Sequence, residues 1–460
     1  MNTPIQKSIA KMEGTQGIII SLLAVGYLCL EIVQVEAVKM LVSLVIIGVI
    51  LWILPRIRGS LMIISIILLA AGIILMLVYG ATLGEWLKAA RINLTLVAIF
   101  LFTPLLGIPV RTGGYVEALK VVLAKKMNSP SFLFVGSNFI SHILGVVLNI
   151  GAISIVHELS KASDIRNNRL VAASINRGFV STIFWSPYFS AMALILSSLP
   201  VKWGDLLLYS LGLSLIAILV SYLFEKPYRI ETPRRKNEVH VGEAELKYAK
   251  RKVVELFALL IFMVSGVLLA EKWTSSSMTF IICVLSVVFP FIWCLLNRKI
   301  NEYRQEFKNH VFTGIPRMKK EIVLFLIAGF FSGAFIKSGW SAYVVEGLNG
   351  AFSNFNIGIA YVIAFSIVFS AVLGLHPIVV VTIVATSIDP FKLGFSHEFF
   401  AILLLTSWGI SNTVSPATAV NNLLAGLMNV ELFEVSVRWN FKYSIVMLLI
   451  IPFYLKIAGI

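Results

Sequence analysis

The chain has 460 residues, of which 58% are hydrophobic and only 13% charged, against about 45–50% and about 25% in an ordinary soluble domain. So few polar side chains cannot cover a soluble surface, which excludes a soluble enzyme and a secreted disulfide scaffold. The net charge of +15 is read as basic residues on the inner side of a membrane, because no interleaving of aromatic and basic residues points to nucleic acid.

The segment 1–16 lacks a small-residue cleavage site, so Gly17–Leu30 is expected to persist as a helix. Apolar runs and their breaks predict spans over 15–31, 37–54, 60–79, 94–110, 171–198, 206–223, 253–271, 277–296, 321–338, 398–427 and 441–459. The apolar stretches 132–157 and 357–388 are interrupted by small and polar residues. They are read as re-entrant hairpins, with the irregular backbone lining protein or a wet cavity. The expected fold is an all-α polytopic membrane protein of about 11 transmembrane helices plus two re-entrant hairpins, in two inverted-topology repeats.

Basic residues orient these elements. With the N-terminus in the cytoplasm, Lys7, Lys11, Arg56, Arg58, Arg111, Lys120, Lys125, Lys126, Lys161, Arg166 and Arg169 fall inside. The segments 224–252 and 297–320, with Arg438 and Lys442, fall there too. Lys88 and Arg91 in one outer loop run against the trend. The expected organisation is N-terminal helices over 1–93, a first repeat over 94–224, a basic cytoplasmic linker over 225–252, connecting helices over 253–320 and a second repeat over 321–460. Cys29, Cys283 and Cys294 lie in apolar segments without metal-ligand spacing and are read as packing residues.

The repeat itself is visible as an alignment. Gly113-Gly114-Tyr115 falls on Ser338-Gly339-Trp340, Ser141 on Ser366 and Val147-Leu148 on Val372-Leu373. With a slightly larger shift, Ser186-Pro187 falls on Ser415-Pro416. The charge pattern places the ends of the two hairpins on opposite sides of the membrane. Inverted repeats with broken helices are a signature of secondary transporters with a midplane site.

The stretch Ser411-Asn412-Thr413-Val414-Ser415-Pro416-Ala417-Thr418, followed by Asn421, should unwind at Pro416. Unwound backbone offers carbonyls to a cation and amides to an anion; a plain kink with hydroxyls bonded back to the helix is the bland alternative. Its counterpart is Asn176 through Tyr188, with Ser181, Thr182 and Ser186. Arg177 either holds a carboxylate or phosphate in a cavity or snorkels to the interface. The first hairpin offers Ser137, Asn138, Ser141, His142 and Asn149, and the second offers Ser366 and His376. The two histidines are proton carriers or hydrogen-bonded packing residues.

No Asp or Glu lies deep in a predicted span or hairpin arm, which argues against a cation/proton antiporter. No Walker A sequence, zinc-spaced Cys/His cluster or nucleophile–His–acid set is present.

These features resemble the ion transporter superfamily, and within it the divalent anion/sodium symporters of di- and tricarboxylates, over roughly 94–224 and 321–459. Ser137-Asn138-Phe139 matches two of three positions of the Ser-Asn-Thr motif those families carry at hairpin tips. The complete match, Ser411-Asn412-Thr413, falls in the broken span instead. The resemblance implies a homodimer moving by an elevator motion, with hairpins and unwound spans holding substrate and sodium.

The expected protein is therefore a non-enzymatic transporter of a small anion in the cytoplasmic membrane, with no cofactor beyond coupling sodium or protons. Substrate contacts are expected from Ser137, Asn138, Ser141, Arg177, Ser186, Ser366, Ser411, Asn412, Thr413, Ser415 and Thr418. Ion coupling is expected from Ser181, Thr182, Asn149, His376 and Asn421. The rival readings are a cation or metalloid antiporter, a transporter of a lipid-linked anion and, least favoured, a membrane-embedded enzyme.

Overall fold

The computed structural model describes residues 4–123, 126–231, 242–352 and 355–460, and every regular element in them is helical. In a bilayer the backbone must satisfy its own polar groups, and helices do this within one segment. Among the described residues, eleven helical stretches are long and apolar enough to cross. The chain is a multi-pass membrane protein.

Three helices, Pro4–Ile32, Glu36–Ile53 and Ser60–Val78, open the chain. They present leucines and isoleucines such as Leu41, Leu51, Ile63 and Leu77 outward, as a lipid-facing helix does. Leu83–Arg91, read from the sequence as a loop, is a short helix. Thr82 and Glu85 close its start by a reciprocal capping box. The next span runs as Leu94–Phe102 and then bends through Thr103–Gly107 into Ile108–Thr112, where Pro104 and Pro109 interrupt the ladder.

From there the same succession of elements occurs twice. A span is followed by an amphipathic helix (Tyr115–Leu123; Trp340–Phe352) and a helical hairpin. The first hairpin pairs Pro130–Leu148 with Gly151–Ser160, and the second pairs Asn356–Val372 with Pro377–Ser387. A broken span comes next, Asn168–Ile183 then Ser190–Ser198 in one case and His397–Val414 then Ala419–Met428 in the other. The closing spans are Trp203–Glu225 and Trp439–Ile457.

The crossing-length stretches include the first hairpin's leading arm, Pro130–Leu148, which is 19 residues long. It turns back at Asn149 instead of continuing. The first broken span is absent from that set because its helices of 16 and 9 residues each fall short of a bilayer. Burial ranks the elements: 94% of the apolar window in His397–Met428 is buried, against 17% in Leu61–Val78. The second broken span is thus a central element and the N-terminal helices are peripheral.

The polar segment expected as a linker over 225–252 is shorter in the structure. A 31-residue helix, Glu243–Trp273, already begins within it, and positions 232–241 lie outside the described residues. Lys7, Lys11 and Lys125 likewise have no described side chains.

Candidate functional site

Four helix breaks converge on one place. The first hairpin turns at Asn149, whose φ of 50° is left-handed and whose Oδ1 accepts the Ile150 amide at 2.8 Å. The second turns at Gly374, φ 90°, and His376 then caps the return arm. There His376 Nδ1 accepts the Ile378 amide at 3.3 Å. The first broken span is interrupted around Ser186-Pro187, with Ser186 Oγ accepting the Tyr188 amide at 3.4 Å. The second is interrupted around Ser415-Pro416, with Ser415 Oγ accepting the Ala417 amide at 3.2 Å.

Between them lies a cavity of about 430 Å³. Its walls include Asn149–Gly151 and His376 from the hairpin turns, Phe189–Ala191 and Ala417–Val420 from the breaks, and Asn412. Phe100, Phe179, Phe325 and Trp408 supply apolar surface, and Arg317 and Glu321 supply charge. The geometry decides the electrostatics. Gly151–Ser160, Ser190–Ser198 and Ala419–Met428 begin at residues lining this cavity, and Pro377–Ser387 begins directly after the lining His376. A helix start carries unpaired amides and roughly half a positive charge; at Pro377–Ser387 the proline has no N–H and His376 takes the Ile378 and Val379 amides, so that start contributes its dipole alone. Lys319–Ser338 begins there too, beside Met318. The helix starts and Arg317 offer positive charge to an anion, and the helix ends at Leu148 and Ile183 and the Glu321 carboxylate bring the opposite sign to the same wall.

His376 adds a donor. Because its Nδ1 accepts a backbone amide, the proton of the neutral ring is on Nε2. Thr418 and Asn412 complete the polar lining, but both are engaged. Thr418 Oγ1 bonds the Ser415 carbonyl at 3.1 Å, and Asn412 Nδ2 bonds the Trp408 carbonyl at 2.8 Å.

The carbonyls of the second break are taken as well. The Asn421 amide nitrogen reaches the carbonyl oxygens of Asn412 at 3.0 Å, Thr413 at 3.2 Å and Ser415 at 2.9 Å. Its Oδ1 accepts from Asn176 of the first broken span at 2.6 Å. Asn421 therefore works as a clasp across the unwound turn. Ser411 Oγ bonds the Trp408 carbonyl, and Thr413 Oγ1 pairs with Ser444 Oγ on the closing span.

Other expected site residues stand outside the cavity wall. Ser181 and Thr182 tie the first broken span to the first hairpin. Trp185 Nε1 can only donate, so His142 Nε2 accepts from it, at 3.1 Å. His142 Nδ1 then carries the proton and meets Ser181 Oγ at 2.8 Å, while Thr182 Oγ1 donates to the His142 carbonyl at 2.9 Å. His142 is thus the hydrogen-bonded packing residue of the two readings. The helices touch closely here: a Cβ on Gly178 would sit 2.2 Å from the Asn138 carbonyl oxygen. Ser137, Asn138 and Ser141 are buried on that arm, and their side-chain polar atoms have no hydrogen-bond partner among the described residues.

Arg177 is 1% exposed and fully committed to protein. Its Nε bonds Asn440 Oδ1 at 2.9 Å, and its Nη2 bonds Glu225 at 2.8 Å and the Trp439 carbonyl at 2.9 Å. Its guanidinium stacks on Tyr443, 4.5 Å from the ring centre. The structure brings it to the ends of both closing spans rather than to the cavity, so neither the substrate contact nor the snorkelling expected of it appears. Ser366 is exposed on the outer face of its hairpin arm, because the helical phase that buries Ile363 and Ile367 turns it outward.

Two cavity residues were missed in the sequence. Arg317 belongs to a basic segment read as a loop, and Glu321 is the first residue of a predicted span. Their spacing of one helical turn at a span's mouth is the signal that could have found them.

No family model matches the chain, and no curated protein matches it. Among solved structures it is similar to the Alcanivorax borkumensis YdaH transporter, whose topology was described as unusual. The TM-score is 0.52 with 15% identity, over 83% of this chain and 88% of that one. The likeness is one of fold. It sets the chain beside a membrane transporter, without singling out the divalent anion/sodium symporters.

Proposed function

We propose that the chain is a secondary active transporter that carries a small organic or inorganic anion across the cytoplasmic membrane, coupled to sodium or protons. One observation carries this reading. The starts of four broken-element helices, together with Arg317, surround a single cavity, and they come in equal number from the two halves of the chain. Half-helix N-termini facing a shared midplane site are how transporters of this architecture hold anionic groups. The fold likeness to a transporter supports it.

The two successions of elements would be inverted repeats, exchanging conformations so that the cavity opens to each side in turn. A homodimer would supply the fixed frame. Were sodium the coupling ion, the orphaned oxygens of Ser137, Asn138 and Ser141 would be its ligands within the first hairpin, since buried polar atoms are ordinarily paired.

The test is thermal unfolding of the purified protein in sodium or choline buffer, against carboxylates, sulfate, phosphate and phosphonates. A ligand at about 100 times its Kd adds about 2.7 kcal/mol to the folded state. One anion class should raise the midpoint, and vesicles containing the protein should accumulate that anion. A panel in which no anion shifts the midpoint in either cation would refute the reading.

A further inference from the structure

We propose that Glu321 is the site of a coupling proton, taken up together with the anion; this rests on the transport reading above and chooses between its two coupling ions. Glu321 lies at the start of Lys319–Ser338, lines the cavity, and is the one acidic side chain in its wall among the described residues. Its Oε2 is buried without a hydrogen-bond partner, and it joins no ion pair among the described residues.

Glu225 is the contrast. Its side chain is 5% exposed, and Arg177 at 2.8 Å and Arg169 at 3.0 Å both hold it, so its charge is answered. An ionised carboxylate oxygen with no donor is costly in an apolar surrounding, and a proton removes that cost.

The charges around Glu321 are few. On its own segment stand Arg317, Lys320 and Lys319, the last bonded to Gln16. His376 faces the same cavity, and His310 nearby is bonded to the Leu101 carbonyl. The packed helices Ser60–Val78, Leu94–Phe102 and Pro377–Ser387 carry no charged residue. Glu36, Lys39, Glu85, Lys88 and Arg91 cluster at the far end, where Lys337 pairs with Glu85.

The coupling follows from charge. An anion in the cavity is drawn by the helix starts and Arg317 and repelled by an ionised Glu321. A proton on Glu321 removes the repulsion, and by linkage a bound anion strengthens proton binding by the same factor. One proton passes from water at the cavity mouth to the carboxylate as the anion enters. It returns to water when the anion leaves on the other side, and only the O–H bond changes.

Dicyclohexylcarbodiimide, which adds to protonated carboxyl groups in apolar sites, tests this on the full-length protein in detergent. Peptide mass spectrometry should find the adduct on Glu321 at pH 6, several-fold less at pH 8, and equal in sodium and choline. Glu225, held in its ion pairs, should stay unmodified. Absence of a Glu321 adduct at both pH values overturns the proposal. So does protection by sodium at constant pH, which would make Glu321 a metal-cation ligand. The labelling needs no transported anion, so its failure leaves the transport reading standing, and an anion panel without shifts leaves the labelling result standing. In Glu321→Gln, monodisperse by gel filtration, the anion-induced shift in unfolding midpoint should lose its dependence on pH between 6 and 8.

Discussion

The two hairpins share a place in the chain's succession of elements and differ in how they are held. The first is latched to its own broken span by three side-chain bonds through His142, Ser181, Thr182 and Trp185, with backbone in contact at Gly178. The second has no such bond to its broken span among the described residues. Its polar ties run the other way, from Thr382 to Asn93 and between Thr386 and Ser332. A hydrogen bond has a narrow range of good geometry, whereas apolar contacts tolerate displacement. Displacement along its broken span would break side-chain hydrogen bonds to that span in the first hairpin, whereas the second has none to break there among the described residues.

The largest effect should come from the clamp that completes the first half. Glu225→Ala leaves Arg177 buried without its carboxylate and should cost about 3–5 kcal/mol, read as a fall in unfolding midpoint. A loss under about 1 kcal/mol would mean that Asn440 and the Trp439 carbonyl alone answer the charge, and the first half would be no more rigid than the second. The latch itself comes next. His142→Ala strands the Trp185 indole and should cost about 1–3 kcal/mol. His376→Ala in the other hairpin removes only a helix cap, worth about 1 kcal/mol. Equal losses would erase the contrast between the hairpins, whereas a weakened anion-induced shift in His376→Ala alone would sharpen it. The smallest effect belongs to Ser366→Ala, expected within about 0.5 kcal/mol and without change in anion response.

Much of this was legible in the sequence, for definite reasons. Pro187 and Pro416 must interrupt their helices, and both hairpins betray themselves by small and polar residues in otherwise apolar runs. What escaped depends on three-dimensional pairing. The sequence marks Arg177 as a buried cation but cannot show that Glu225, at the edge of a polar linker, bends back to it. Asn421 reads as a ligand because its own neighbours supply the carbonyls it occupies only once the turn has formed. Ser366 was placed by repeat alignment, and alignment does not fix which side of a helix faces lipid. The cavity's own charges, Arg317 and Glu321, sit at a span boundary, where hydropathy is least informative.

The clasp between the halves has a consequence for how the protein can be built. Arg177 reaches Asn440 and Trp439, Asn176 reaches Asn421, and the Tyr443 and Tyr454 hydroxyls reach the carbonyls of Ala217 and Tyr209. These contacts register one half against the other without using the polar segment that joins them in sequence, beyond Glu225 at its edge, which Arg177 also holds. Two polypeptides divided within that segment would between them carry every one of these contacts, so the two halves should associate when produced as separate chains.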